Sequence, residues 1–219
     1  MANPRKKLLI ADDHLLFAQA IRHLLENSYD IVGIVGDGHA LLREAEEKLP
    51  DVIVLDVGMP LLNGFDAAQR IRQKLPKVKL VFLTMQEDPL LAAAVHDLGH
   101  SAFILKQSAV DELLKAIDQV MLGKSFVAPK LRTDDWTQEK ARVRQFSKDL
   151  TSRQREIVQM FAEGRQTKEI AAHLSLSEKT IEFHKYHIME TYGLRTTADL
   201  VLFALKLGLI SLSPALPRS

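Results

Sequence analysis

No cysteine occurs among the 219 residues, which excludes a disulfide framework, a thiolate metal site and a catalytic thiol. That absence suits a reducing cytosol. Long hydrophobic runs are lacking too. Residues 1–7 are basic, but the apolar run after them stops at Asp12, far short of a signal-peptide core. The longest apolar stretch, residues 200–212, is interrupted by Lys206 and too short to span a bilayer. A soluble, unexported, cytoplasmic protein with no membrane partner is expected. Internal repeats and low-complexity tracts are also missing.

A strong net charge is the last thing lacking, since 29 Lys+Arg oppose 28 Asp+Glu. The balance is uneven along the chain. Residues 1–124 carry 14 basic and 17 acidic groups, and residues 125–219 carry 15 and 11. An acidic front and a basic back suggest two modules, the second better suited to a polyanionic partner.

What is present in the front half is an alternation of apolar runs and amphipathic stretches. Strands are expected over 7–11, 31–35, 51–56, 79–84 and 101–105, several too uniformly apolar for a one-sided sheet. Between them Phe65, Ala68, Ile71 and Leu75 keep helical spacing, as do Leu91, Ala94, Val95 and Leu98. Val110, Leu113, Leu114, Ile117, Val120 and Met121 repeat the pattern. The fold class is α/β, a doubly wound five-stranded parallel sheet of order 2-1-3-4-5, followed by a small all-α domain.

The strand ends carry the chemistry. Asp12-Asp13, Asp56, Thr84 and Lys106 each close an apolar run, and in a parallel sheet those ends converge on one edge. Three carboxylates repel one another unless a cation neutralises them, and oxygen ligands with room for waters favour Mg2+. With a cation in place Asp56 can act as nucleophile on a phosphoryl donor, while Lys106 and Thr84 offer an ammonium and a hydroxyl to the phosphoryl oxygens. Taken singly, each residue has a plainer reading. Asp12-Asp13 before a helix suits a cap, Thr84 a strand-end hydroxyl and Lys106 a solvated lysine. Their joint placement favours the phosphoryl site.

The set Asp12-Asp13, Asp56-Val57-Gly58-Met59-Pro60 with Gly64, Leu83-Thr84, and Phe103 with Lys106 resembles the receiver domain of two-component response regulators. The resemblance implies that Asp56 accepts phosphate from a sensor histidine kinase. It implies Mg2+ ligation by Asp13, Asp56 and the Gly58 carbonyl, with Asp12 supporting through water. Phe103 stands at the family's switch aromatic, which turns inward as Thr84 moves toward the phosphate. Its plainer role is a buried strand aromatic. Met85 departs from the family, where a small residue is common. Its bulk could narrow access to the acyl phosphate, and Gln86 could position or exclude water.

Residues 123–149, with Pro129, Asp134, Asp135, Trp136 and Val143, lack a sustained apolar period and read as a linker, partly helical. From Leu150 the patterns are helical. Thr151 with Gln154 predicts a capping box, Thr167 and Ser177 are expected caps, and Gly193 a stop. Leu150-Thr151-Ser152-Arg153-Gln154, Gly164, Lys168-Glu169-Ile170-Ala171, Ser177, Thr180-Ile181 and His184 resemble the LuxR-type helix-turn-helix. With the receiver, the chain is similar to the NarL/FixJ subfamily over almost its full length. Domain limits of 5–124, 125–147 and 148–212 follow for receiver, linker and DNA-binding domain.

On the helix from residue 178, Ile181, His184, Ile188 and Tyr192 share the inward side, so His184 reads as a structural histidine. Glu182, Phe183 and Tyr186 face outward, where the family places base contacts. Glu182 could accept from cytosine N4 and Phe183 could touch a thymine methyl. Lys168, Lys179, Thr180 and Lys185 suit phosphate contacts, which position without specifying. Glu182, where many relatives carry Lys, argues for selective readout over generic attraction, although Glu178 and Glu182 also fit a solvated face.

The leading expectation is a DNA-binding transcription regulator switched at Asp56. It would be a homodimer when phosphorylated, on double-stranded promoter DNA, with the transcription machinery as a further partner. It would not be an enzyme beyond its own phosphorylation chemistry. A phosphohydrolase would want a second carboxylate two residues after Asp56, where Gly58 stands. A constitutive DNA binder with a relic receiver is opposed by the intact acidic set.

Overall fold

The computed structural model describes residues 5–85, 89–108, 110–131 and 150–210. The chain divides into two compact units, Met1–Gln145 and Phe146–Ser219. Gln86, Trp136 and Val143 lie outside the described residues, as does the linker from 132 to its end.

The first unit alternates strand and helix: β1 (Lys7–Ala11), α1 (Leu15–Leu25), β2 (Asp30–Val35), α2 (Gly38–Lys48), β3 (Val52–Asp56), α3 (Gly64–Lys74), β4 (Lys79–Thr84), α4 (Pro89–Asp97), β5 (Ser101–Leu105) and α5 (Val110–Met121). All strands pair in parallel. Every residue of β3 and β5 is buried, as is β4 after Lys79, because these central strands are covered on both faces. Edge strand β2 is only half-buried along most of its length.

The order is β2-β1-β3-β4-β5-β6, so the expected arrangement stands with one correction: the sheet has six strands. The sixth, β6 (Phe126–Val127), pairs with β5 through Ala102↔Phe126 and Phe103↔Val127. A two-residue strand shows no alternation and no run, so periodicity could not reveal it. Gly123, at φ +78°, stops α5 and lets the chain return to the sheet, where Val127 and Ala128 are buried. A short 3-10 turn, Pro129–Leu131, follows.

Local chemistry fixes the helix starts. Asp37 caps α2 by accepting from Ala40 N at 2.7 Å, and Asn63 caps α3 by accepting from Asp66 N at 2.9 Å. The Arg72 guanidinium, near the end of α3, donates to the carbonyls of Pro76, Val78 and Gly99 at 2.9, 2.6 and 2.9 Å. It ties α3 to two loops at the base of the sheet.

The second unit is helical: α6 (Ser152–Ala162), α7 (Thr167–Leu174), α8 (Glu178–Thr191) and α9 (Thr197–Lys206). Its core gathers Ile157, Met160, Ile170, Leu174, Ile181, Ile188, Leu200 and Ala204, all buried. The Thr151–Gln154 capping box and the Ser177 cap form as expected, and Gly193 follows α8 at φ +65°. The cap of α7 is Gln166, not Thr167: Gln166 N donates to Glu169 Oε2 at 2.9 Å. Thr167 is thereby the first helical residue. Among the described residues no helix is long and apolar enough to cross a membrane.

Candidate functional site

The register of the sheet assembles the acidic edge. Ala11 sits opposite Leu55, so Asp12 leaves β1 level with Asp56. Asp56 faces Leu83, placing Thr84 one step beyond, and Thr84 faces Leu105, placing Lys106 one step beyond again. Four residues separated by up to 94 positions thus share one edge, because every strand runs parallel and stops at the same level, and the side chains of Asp12, Asp56 and Lys106 meet there.

Lys106 is the electrostatic centre. Its Nζ lies 2.8 Å from Asp12 Oδ2 and 2.8 Å from Asp56 Oδ2, with all three side chains 6% exposed or less. The Phe17 ring, 5.0 Å away, adds an aromatic face to the same ammonium. The remaining oxygens are also directed: Asp12 Oδ1 accepts from His14 N at 2.9 Å and Asp56 Oδ1 from Gly58 N at 3.2 Å. Burial pushes the Asp12 carboxyl above the usual carboxylate range, Lys106 draws it back, and the charge of Asp56 pushes it up again.

Asp13 differs from its neighbour. Its side chain is 34% exposed, and its Oδ1 lies 2.9 Å from His14 Nδ1. One oxygen each from Asp12, Asp13 and Asp56 and one ring nitrogen of His14 lie within 4.8 Å of one another. Among the described residues this is the grouping with metal-ligand spacing. Three carboxylates with one side open to water form a hard oxygen set that fits a small divalent cation. Gly58 is exposed beside it.

Other expected residues fall around this centre. Thr84 is buried at the end of β4, and its carbonyl accepts from Lys106 N at 2.7 Å. Phe103 is fully buried on β5. Met85 is 57% exposed at the mouth. Gly64 holds the floor: a Cβ there would lie 2.0 Å from the Asp56 carbonyl oxygen. Sequence reasoning missed His14 and Phe17. The first was signalled by adjacency to Asp13, and the second, an aromatic on α1 beside Lys106, by nothing in the pattern of the sequence.

In the second unit, α7 and α8 meet through Ser175, at φ +54°, Leu176 and Ser177. Leu176 N donates to Ala171 O at 3.0 Å, closing the turn. Arg153 on α6 steadies it by donating to Leu174 O at 2.7 Å and Glu156 Oε2 at 3.1 Å. The surface of this helix pair carries Lys168, Lys179, Glu182, Phe183 and Tyr186, all exposed. Phe183 and Tyr186 are 65% and 66% exposed, unusually open for aromatic rings, with Phe183 stacked on His187 at 6.2 Å between ring centres. Thr180 and Lys185 are half-buried. Thr180 shares a 2.8 Å hydrogen bond with the Ser177 hydroxyl, and Lys185 Nζ lies 4.7 Å from the Phe161 ring centre. His184 is half-buried, its ring edge-on to Phe183. The Glu182 carboxylate accepts a hydrogen bond from the Thr167 hydroxyl across the two helices.

Known proteins share both halves. The family model for the response regulator receiver domain matches residues 8–118, and that for bacterial regulatory proteins of the luxR family matches residues 148–204. The oxygen regulatory protein NreC of Staphylococcus aureus is 34% identical over 214 residues, covering 93% of this chain and 99% of that protein. The transcriptional regulatory protein MctR of Rhizobium johnstonii is 31% identical over 212 residues, covering 95% and 97%. A structure of the Salmonella typhimurium RcsB response regulator matches with a TM-score of 0.63 and 26% identity over 94% of this chain and 99% of that one. RcsB of Salmonella enterica serovar Typhimurium, bound to promoter P1flhDC in the presence of the phosphomimetic BeF3-, matches with a TM-score of 0.55 and 28% identity over 91% and 98%. The chain belongs to the two-component response regulators of the NarL/FixJ type, DNA-binding proteins that join a receiver domain to a LuxR-type helix-turn-helix domain.

Proposed function

We propose that this regulator is switched by phosphorylation of Asp56, with a sensor histidine kinase as donor. The observation that carries the reading is the Lys106 ammonium, held 2.8 Å from Asp56 inside a buried pocket. Asp56 Oδ attacks the phosphorus of a phosphohistidine or small acyl phosphate. The bond to the leaving nitrogen or oxygen breaks as the new one forms, and the leaving group takes up its proton from solvent. Lys106 and Thr84 then bind phosphoryl oxygens, Lys106 turning from Asp56 toward the new dianion. Asp13, Asp56 and the Gly58 carbonyl, with Asp12 in support, would hold Mg2+, which would supply charge neutralisation for the incoming phosphoryl group. The open oxygen set and the exposure of Asp13 support this assignment.

Gly58 leaves no second acid two residues after Asp56 to drive turnover of outside substrates, so the site stores one phosphate. Leu15 and Leu16, 64% and 88% exposed at the start of α1, give the kinase an apolar rim beside the acidic residues. Thr84 and Phe103 form the switch, coupling the phosphate to the surface around α4, β5 and α5.

The output is promoter binding by α8 in the major groove. Glu182, Phe183 and Tyr186 face the bases, while Lys168, Lys179, Thr180 and Lys185 face phosphates. RcsB dimers bound to DNA, and RcsB bound to a promoter in the presence of the phosphomimetic BeF3-, support a homodimer on two half-sites here, acting in the cytoplasm with the transcription machinery as a further partner. The limits 5–124, 125–147 and 148–212 are proposed as receiver, linker and DNA-binding domain, with β6 and the buried Ala128 moved from the linker to the receiver because they belong to its sheet and core.

The test compares oligomeric state and DNA binding with and without acetyl phosphate plus Mg2+, in wild type and Asp56→Asn. Wild type should dimerise and bind more tightly, and the variant should not respond. Equal responses, or none in either, would overturn the switch. Sustained release of phosphate from monoesters would favour an enzyme instead.

A further inference from the structure

Glu182 is an awkward residue for a helix that approaches a polyanion. Its carboxylate is repelled by phosphates, and a glutamate on an exposed face samples many rotamers, most of which miss a base edge. Here one rotamer is selected by a partner on the other helix. The Thr167 hydroxyl donates to Glu182 Oε1, bridging the first turn of α7 to the first turns of α8. Thr167 is free for this role because Gln166, not Thr167, caps α7. As the opening residue of α7, Thr167 also places the carboxylate toward the positive end of that helix, which offsets part of the phosphate repulsion.

We propose that Thr167 is a specificity-determining positioning residue: by fixing Glu182 Oε1 it presents Oε2 as the acceptor for a cytosine amino group. A carboxylate can only accept, and in the major groove the cytosine N4 amine is a donor that guanine and thymine do not offer. Pre-organisation matters because ordering a free glutamate on binding would offset much of one base contact. The inference rests on the assignment of α8 as the helix that reads DNA. It differs from that assignment in naming a residue that touches no base.

The test selects bound sequences from a randomised duplex pool with full-length protein treated with acetyl phosphate and Mg2+. Wild type, Thr167→Val, Thr167→Ser and Glu182→Gln are compared. Wild type should recover a motif with a cytosine preference at one position of each half-site. Thr167→Val should weaken that preference about tenfold, while its binding to bulk DNA and its salt dependence stay as in wild type. Thr167→Ser, which keeps the hydroxyl, should retain the preference. Glu182→Gln should move it toward adenine, an independent readout if valine disturbs folding. An unchanged cytosine preference in Thr167→Val would overturn the proposal, as would a uniform change in affinity for all sequences. A wild type without any sequence preference would instead remove the α8 assignment beneath it.

Discussion

Replacing Lys106 with methionine isolates what holds the acidic pocket together. Methionine keeps most of the apolar stem against Phe17 and removes only the charge. Asp12 and Asp56 then face each other with no cation between them, both nearly sealed from water. Each 2.8 Å contact is worth about 6 kcal/mol of gross attraction at an effective dielectric near 20. Most of that offsets the desolvation of the ions. Breaking such a buried pair from one side costs about 3–5 kcal/mol, because the abandoned carboxylates remain. Against a typical total of about 5–15 kcal/mol, Lys106→Met should lower the receiver's midpoint by more than about 10 °C in metal-free buffer at pH 7. Millimolar Mg2+ should recover part of the loss, since a divalent cation answers the same carboxylates. Lys106→Met/Asp12→Asn should be more stable than Lys106→Met alone, because it removes one of the two stranded charges. Thermal and urea unfolding of the three proteins, with and without Mg2+, measures each term. A Lys106→Met protein as stable as wild type would refute the reasoning. So would a double variant no better than the single one.

Gly64→Ala should destabilise the receiver by about 1–3 kcal/mol and reduce Asp56 phosphorylation, since a Cβ there collides with the Asp56 carbonyl 2.0 Å away. Thermal unfolding and gel-shift detection of the phosphoprotein check both effects. Met85→Ala should lose its phosphate several-fold faster than wild type if the bulk of this exposed side chain, next to Thr84, narrows access to the acyl phosphate. Loss no faster than wild type, followed after removal of the phosphodonor, would sink that view. Asp199 completes the capping box that Thr196 opens on α9, and donation from Arg195 N, then Thr196 N, holds its carboxyl below the usual range. A depressed carboxylate contributes stability that is present above its unfolded value and lost as pH falls through its folded one. The melting difference between wild type and Asp199→Ala should therefore be full at pH 7, shrink below about pH 4 and vanish in stronger acid.

The receiver site was legible because parallel strands convert linear order into position. Residues that end apolar runs must share one edge, so Asp12, Asp56, Thr84 and Lys106 could be placed together from their spacing alone. Two features escaped for opposite reasons. Strand β6 is too short to carry any period, and its pairing depends on where Gly123 redirects the chain. The Thr167–Glu182 bond spans 15 positions and two helices, and its existence depends on their crossing angle, which no single-helix pattern encodes. Capping rules even pointed elsewhere, assigning the Thr167 hydroxyl to its own helix end.

That misassignment is informative about how the two halves divide their work. In the receiver Asp12 and Asp56 are oriented by Lys106 from a neighbouring strand end, so these three charges are buried and partnered, while Asp13 stays partly open to water. In the helix-turn-helix the Glu182 side chain is oriented by an uncharged hydroxyl, and its charge stays in solvent. A phosphoryl group entering the first site must displace Lys106 from Asp56, which changes the balance of the whole pocket. On the proposed reading, a base pair reaching the second would displace nothing and would find an acceptor already aimed. The receiver is built to respond to its ligand, and the α7–α8 face is built to discriminate among its own.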